Sequence, residues 1–553
     1  MKHLRSLVLI VAAGVLGTAW GAAGAPQAPK TVGELAKRDI AVRTDVVVSG
    51  GAARAMDNYR KFLELQNTDP RLRAEALRRL GDLNLESGEL ERMANEVTQL
   101  DLSGAEAIRL YTTLLQAYPD YPRNDQVLYQ LARAYETTGQ GDKALATLDQ
   151  IATRYPKTRD IAEVQFRRGE LLFSAKRYAE AEQAYQQVIS RGPGGSTFYE
   201  QGLYKHGWSQ FKQSQFDACL KSFMTLLDRT LVDRHNGAPR KRESLSRAEG
   251  ELTDDTLRAM SIAFSYLDGP QTIDQLLSQH GPAPYAWMLY AHLGDLYVEK
   301  QRYQDAATTY RAFVARDPAD DHAPMLSNRA IDAYAKGGFA DMVVEGKAEY
   351  VRSYGFKAPY WRGRERSASP EVVAELKSNL KDLAQYYHAN AQKSHRLEDY
   401  MVAADWYRNL LASFPDDADA SETNYLLAEA LFESHQYADA ATEYERSAYQ
   451  YPAGPRSAAA GYAALVAFGK QEEQLPEAAR ADVHQRATES SIRFSETFPT
   501  HPESAGVLTR AAQDEFAAHD LPRAALLAQQ LLARTPPVDV AKQRIAWAIV
   551  GQA

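Results

Sequence analysis

The feature that most limits what this chain can fold into is a pattern repeated in register across residues 126–227. The small residues Ala132, Gly169 and Gly207 are each followed twelve positions later by another small residue: Ala144, Ala181 and Cys219. Sixteen positions after each comes a large one: Leu148, Tyr185 and Phe223. Pro156 and Pro193 follow the first two small residues by twenty-four positions. A period of roughly 34–38 residues, with small and large positions in step, marks an array of stacked units and not one globular core.

Each unit contains two apolar runs separated by a short turn, Gly139-Gln140-Gly141 in one and Lys176-Arg177-Tyr178 in the next. Apolar residues three, four and seven positions apart lie on one face of an α-helix. The small residues let two helix axes approach closely, and the proline stops the second helix. One helix pair cannot bury both of its faces, but a stack of pairs can.

The pattern resembles the tetratricopeptide (TPR) repeat. Leu131-Ala132-Arg133-Ala134-Tyr135, Ala144 through Leu148, and Pro156 match its helix-A, helix-B and terminal positions, while Leu128 stands where the family has tryptophan. The resemblance implies an all-α fold: an α-solenoid, a right-handed superhelix of TPR helix-turn-helix repeats. It also implies that helix A of each unit lines a concave groove in which partner segments lie. Carried over residue by residue, the groove positions are Tyr129, Arg133 and Glu136; Phe166, Glu170 and Phe173; and Tyr204, Trp208 and Phe211. Six of these nine are aromatic, which suits recognition of a protein segment. A slight change of register would instead make several of them core between repeats. The basic and amide clamp of TPR domains that capture a C-terminal carboxylate is missing at these positions.

The rest of the chain is read against this unit. Residues 1–25 carry Lys2 and Arg5, an apolar run from Leu7 to Leu16, and then Ala and Gly, the three-part plan of a secretory signal peptide. The alternative is an uncleaved N-terminal anchor. No cysteine lies there, so lipoprotein processing is not expected, and no later stretch is apolar enough to span a membrane. Residues 26–51 read as a flexible lead-in, with Val46-Val47-Val48 a possible strand. An N-terminal TPR array follows over 52–227; it opens with a lone helix ended by Pro70 and carries an extra segment around 88–104. Residues 228–255 read as a charged connecting loop, whose Arg240-Lys241-Arg242 cluster is either solvated or a contact for an acidic partner or lipid headgroup. A middle TPR-like array spans 256–345, and a basic, aromatic loop spans 346–370. The C-terminal TPR array, 371–553, ends mid-repeat, with Trp547, Ile549 and Val550 lacking a partner helix.

Composition supports a folded chain: 25% of the 553 residues are charged and 45% hydrophobic. The net charge is −8, and losing Lys2 and Arg5 with a signal peptide gives −8 − 2 = −10, which argues against a general nucleic-acid binder. No zinc-protease His-Glu-x-x-His, no Gly-x-Ser-x-Gly elbow and no phosphate-binding loop occurs. His388 and His395 read as surface histidines, and the aspartates near 317–321 and 416–419 as helix caps. Cys219 sits at the small helix-B position and reads as a buried, inert residue. No catalytic residue, metal site or cofactor is therefore expected.

The expected function is that of a non-enzymatic scaffold binding protein partners in the periplasm. Units of about 37 residues ending in Tyr-Pro or Phe-Pro (Tyr118-Pro119, Tyr155-Pro156, Phe414-Pro415, Tyr451-Pro452) look like the periplasmic TPR proteins of the Tol–Pal system and of outer-membrane assembly in Gram-negative bacteria. Two alternatives stay open. One is a scaffold of exopolysaccharide export or of pilus and motility assembly. The other is the repeat region of a longer protein with an enzymatic domain beyond residue 553.

Overall fold

The computed structural model describes residues 51–65, 69–94 and 102–553. The expected signal peptide, the lead-in up to residue 50 and part of the extra segment around 88–104 lie outside the described residues. Among those described, the chain forms 24 α-helices that pack in consecutive pairs, a helical solenoid with no strand. It divides into two compact units, residues 1–147 and 148–553.

In the first unit the helices Pro70–Ala94, Leu102–Ala117 and Asn124–Thr137 meet around Leu80, Leu110, Tyr111, Leu114, Val127 and Leu131. Gly81 shows why a small residue is needed. A Cβ there would lie 2.6 Å from the Tyr111 ring, so the ring rests on bare helix backbone. The Tyr111 hydroxyl then passes that backbone and donates to Asp82 Oδ1 at 2.8 Å. Buried Arg78 bridges Glu75 and Asp82 on the same helix, at 2.6 and 2.7 Å.

The second unit repeats this contact. Gly169 lies under Tyr185, Gly207 under Phe223, and Gly294 under Tyr310. Tyr185 donates to Glu170, and Tyr310 donates to Asp295 at 2.6 Å. In each case the acceptor immediately follows the glycine. Its A–B turns also share a device: one residue at positive φ, Lys176, Ser214, Gln301, His395, His435 or His519. In several repeats an aromatic residue two positions later folds back on helix A. Phe173 meets Tyr178, Phe211 meets Phe216, and Phe432 meets Tyr437, with centroids 5.1–5.4 Å apart. The second unit has three larger apolar clusters, spread over residues 219–410, 384–483 and 508–549.

The structure corrects several sequence expectations. The first helix, Gly51–Glu64, begins at the last residue assigned to the lead-in. Pro70 opens the next helix instead of closing the previous one, because a first-turn N–H needs no helical partner. That helix runs on through residues 88–94. In the expected loop 228–255, helix Phe216–Leu231 continues past residue 228 and helix Arg247–Tyr266 starts early. Its start is set by a capping box: Glu249 N–H donates to Ser246 Oγ at 3.2 Å, and Ser246 N–H donates to Glu249 Oε2 at 2.8 Å. The two arginines of the basic cluster there are spent internally, Arg240 on Glu249 and the Thr230 carbonyl, and Arg242 on Asp254.

Residues 346–354 belong to helix Ala340–Tyr354, and in the remainder of the expected basic, aromatic loop the two aromatics Tyr360 and Trp361 fold inward while residues 362–363 and 365–368 stay exposed. Tyr360 and Trp361 are buried, and the Trp361 indole donates to the Tyr354 carbonyl at 2.7 Å. Arg364 stacks on Tyr360 at 4.4 Å and reaches Asp321 at 2.7 Å. Here the chain uses aromatics as core. At the C-terminal helix, Val540–Gln552, Ile549 is only 6% exposed and packs with Leu508, Leu527 and Leu531, so it does have a partner. Trp547 is 63% exposed.

Candidate functional site

Three of the nine expected groove residues, Tyr129, Arg133 and Glu136, lie on helix Asn124–Thr137 of the first unit. Tyr129 is half-buried on helix Asn124–Thr137. Arg133 pairs with Glu89 at 2.5 Å and also donates to Gln130 at 3.2 Å. Its charge is used within the unit.

In the second unit the expected residues separate into two kinds. Phe166 stacks on Phe198 at 4.9 Å and meets Tyr185 edge-on, which is packing between helices. Phe173 forms the elbow with Tyr178, with the Lys205 ammonium 5.6 Å over its ring. Glu170 accepts from Tyr185 and from Lys205. By contrast Tyr204, Trp208 and Phe211 come together as a partly buried row along helix Tyr199–Lys212. Tyr204 and Trp208 are 6.3 Å apart, and Trp208 and Phe211 5.2 Å. The row continues through Phe216 to Tyr266, which stack at 5.4 Å and 9°. Tyr266 is 67% exposed. Phe216 and Tyr266 were missed in the sequence. The aromatic that follows the A–B turn would have pointed to Phe216, but Tyr266 reaches the row only through the early-starting helix Arg247–Tyr266.

A second site was also missed. A groove of about 720 Å³ lies against helices Pro370–Ser394, Ala420–Glu433 and Ser457–Gln474. It is lined by His388, Gln392 and His395, by Tyr425, Glu429 and Phe432, and by Tyr462 and Val466 among others. The helix-A rule was the available signal. Positions three before, one after and four after Ala391 are His388, Gln392 and His395, and the same positions around Ala428 are Tyr425, Glu429 and Phe432. His388 is buried, against the expectation of a surface residue, and its Nδ1 lies 3.1 Å from the Tyr407 hydroxyl. Desolvation holds its pKa below the usual histidine value. Burial pushes the pKa of Glu429 upward.

Cys219 is fully buried at its small helix-B position, and desolvation pushes its thiol pKa up to about 12. A thiol so poised is a poor nucleophile. Among the described residues, no group of three or more His, Cys, Asp or Glu side chains is placed to hold a metal ion. No helix among them is long and apolar enough to cross a membrane.

The match to a family profile agrees with this architecture. The Tetratricopeptide repeat profile matches residues 104–159, 129–196, 271–321, 292–338 and 396–458. Similar solved structures include a Naa15/Naa10 complex bound to HypK-THB, 12% identical, covering 90% of this chain and 68% of that one, with a TM-score of 0.31. A tetratricopeptide repeat protein from Parabacteroides merdae is 14% identical, covering 54% of this chain and 98% of its own, with a TM-score of 0.25. The C-terminal part of a TPR protein from Cytophaga hutchinsonii is 16% identical, covering 61% and 98%, with a TM-score of 0.25. No curated protein sequence matches the chain. The chain is a helical solenoid carrying tetratricopeptide repeats, a fold that generally serves as a non-catalytic protein-interaction scaffold.

Proposed function

We propose that this solenoid is a non-enzymatic scaffold of the bacterial periplasm that binds protein partners along its helix-A surfaces, in assembly or maintenance of the cell envelope. The observation that carries the binding role is the row Tyr204–Trp208–Phe211–Phe216–Tyr266. An aromatic row left partly in water, with Tyr266 mostly exposed, forgoes burial worth about 25 cal/mol per Å². Aromatic side chains in this state are the usual anchors of protein interfaces. Lys212 lies 5.8 Å over the Trp208 ring, giving the row one cationic edge. The periplasmic and envelope parts of the proposal rest on the basic-then-apolar start of the chain and on the Tyr-Pro and Phe-Pro unit endings.

The test is affinity capture from an envelope extract with wild type and with the double variant Tyr204→Ala, Trp208→Ala. The expected result is a loss of captured partner by about tenfold or more, as for interface anchors, with the helical circular-dichroism signal retained. Unchanged capture by the double variant would remove this row from the binding surface.

A further inference from the structure

The repeat built on Ala428 breaks the tyrosine latch described above. At Gly81, Gly169 and Gly294 the helix-B ring occupies the space of the missing Cβ, and its hydroxyl reaches the acid at the next position. Glu429 stands at that acid position, and Tyr444 is the ring sixteen residues after Ala428. Ala428 carries a methyl group where those repeats have only a hydrogen. Tyr444 meets Tyr425 edge-on at 5.6 Å, as Tyr185 meets Phe166, but among the described residues no hydrogen bond joins it to Glu429. The acid has exchanged the helix-B hydroxyl for that of Tyr425, on its own helix.

No neighbouring cation replaces it. Arg456, which lies close enough to act on Glu429 electrostatically, is paired with Glu422 at 3.0 Å and lies 4.8 Å over the Tyr425 ring. Among the described residues none forms an ion pair with Glu429. Glu433, one turn further along, adds a second negative charge to the groove. The other titratable groups facing it are His388, His395, His501 and the tyrosines, and desolvation holds the pKa of buried His388 below the usual histidine value. The groove thus sets a half-buried carboxylate among aromatic rings, with space above it.

We infer that this groove receives a lysine or arginine side chain from a partner protein, with Glu429 as its counter-ion and the Tyr425 and Tyr462 rings alongside its stem. The inference rests on the scaffold reading and specifies the partner chemistry of a second helix-A surface. Charge complementarity supports it. A carboxylate partly removed from water gains most from a cation that brings hydrogen bonds with it, and the flanking rings favour that cation further.

The experiment selects phage-displayed random heptapeptides on the immobilised full chain. The enriched peptides are then titrated free in solution by fluorescence anisotropy. Peptides with a shared lysine or arginine are expected. Their affinity should fall about tenfold or more in Glu429→Gln, and by a similar factor when norleucine replaces the basic residue, the effect of losing a charge-assisted hydrogen bond. Glu429→Gln should also keep or raise the thermal midpoint, because it removes a half-buried charge, so weaker binding will not reflect unfolding. An acidic or uncharged consensus, unchanged affinity in Glu429→Gln, or no enrichment would each overturn the inference. Binding abolished by Tyr204→Ala, Trp208→Ala and not by Glu429→Gln would overturn it too, while leaving the scaffold reading intact.

Discussion

At Gly169 the whole repeat depends on one missing methyl group. A Cβ there would stand 2.6 Å from Tyr185 Cε1, and moving the ring would also pull its hydroxyl from Glu170. Gly169→Ala is expected to destabilise the protein by about 1–3 kcal/mol, even though alanine gains about 1 kcal/mol of helix propensity. Gly250 is the control. It lies in helix Arg247–Tyr266 with nothing within 4 Å of its would-be Cβ, so Gly250→Ala should stabilise by about 0.5–1 kcal/mol. Chemical denaturation of both variants checks the pair, and equal effects would refute the contact. Much of this level was legible in the sequence. The twelve- and sixteen-residue offsets located Gly169, Tyr185, Gly207, Phe223 and buried Cys219 correctly. The position of Glu429 follows from the helix-A rule, but its surroundings were not legible, because they depend on where the Tyr425 and Tyr444 rings go.

Elements are held to one another by polar ties that the apolar pattern does not announce. Glu75, on helix Pro70–Ala94, accepts from the hydroxyl of Tyr121, which follows helix Leu102–Ala117. The hydrogen bond from Arg78, helped by Tyr121 and opposed by burial, lowers the Glu75 pKa to about 2. A carboxyl whose folded pKa lies below its unfolded one contributes stability that is complete above the unfolded value and lost as pH falls toward the folded one. The stability difference between wild type and Glu75→Gln is therefore expected to be full at neutral pH and to shrink between about pH 4.5 and about pH 2. Thermal melts across that range measure it, and a gap independent of pH would contradict the tie. Element boundaries were less legible for the same reason. Ser246 and Glu249 start a helix inside a run that composition marks as a charged loop. Tyr360, Trp361 and Arg364 read as a basic, aromatic loop, yet they close over their own backbone and the turn at Ala319.

For the molecule as a whole, the repeat explains both the fold and the absence of recognisable catalytic motifs. Each pair spends its small and large positions on stacking, which leaves the helix-A surfaces to vary. They vary in chemistry: an aromatic row at residues 204–266, and an acid-centred aromatic groove at residues 388–501. The first could be read in part from one stretch of sequence. The second required the same helix-A rule to be carried to Ala391 and Ala428, followed by the placement of Tyr444. The central claim is that these helix-A surfaces, and not the outer faces of helix B, contact partners. Its most direct test is a photo-crosslinking amino acid placed singly at Phe211, at Tyr462 and at Met401, an exposed position on helix Leu397–Ser413. The account predicts discrete partner adducts from Phe211 and Tyr462 and none from Met401. Adducts from Met401 alone, with neither helix-A position reacting, would contradict it.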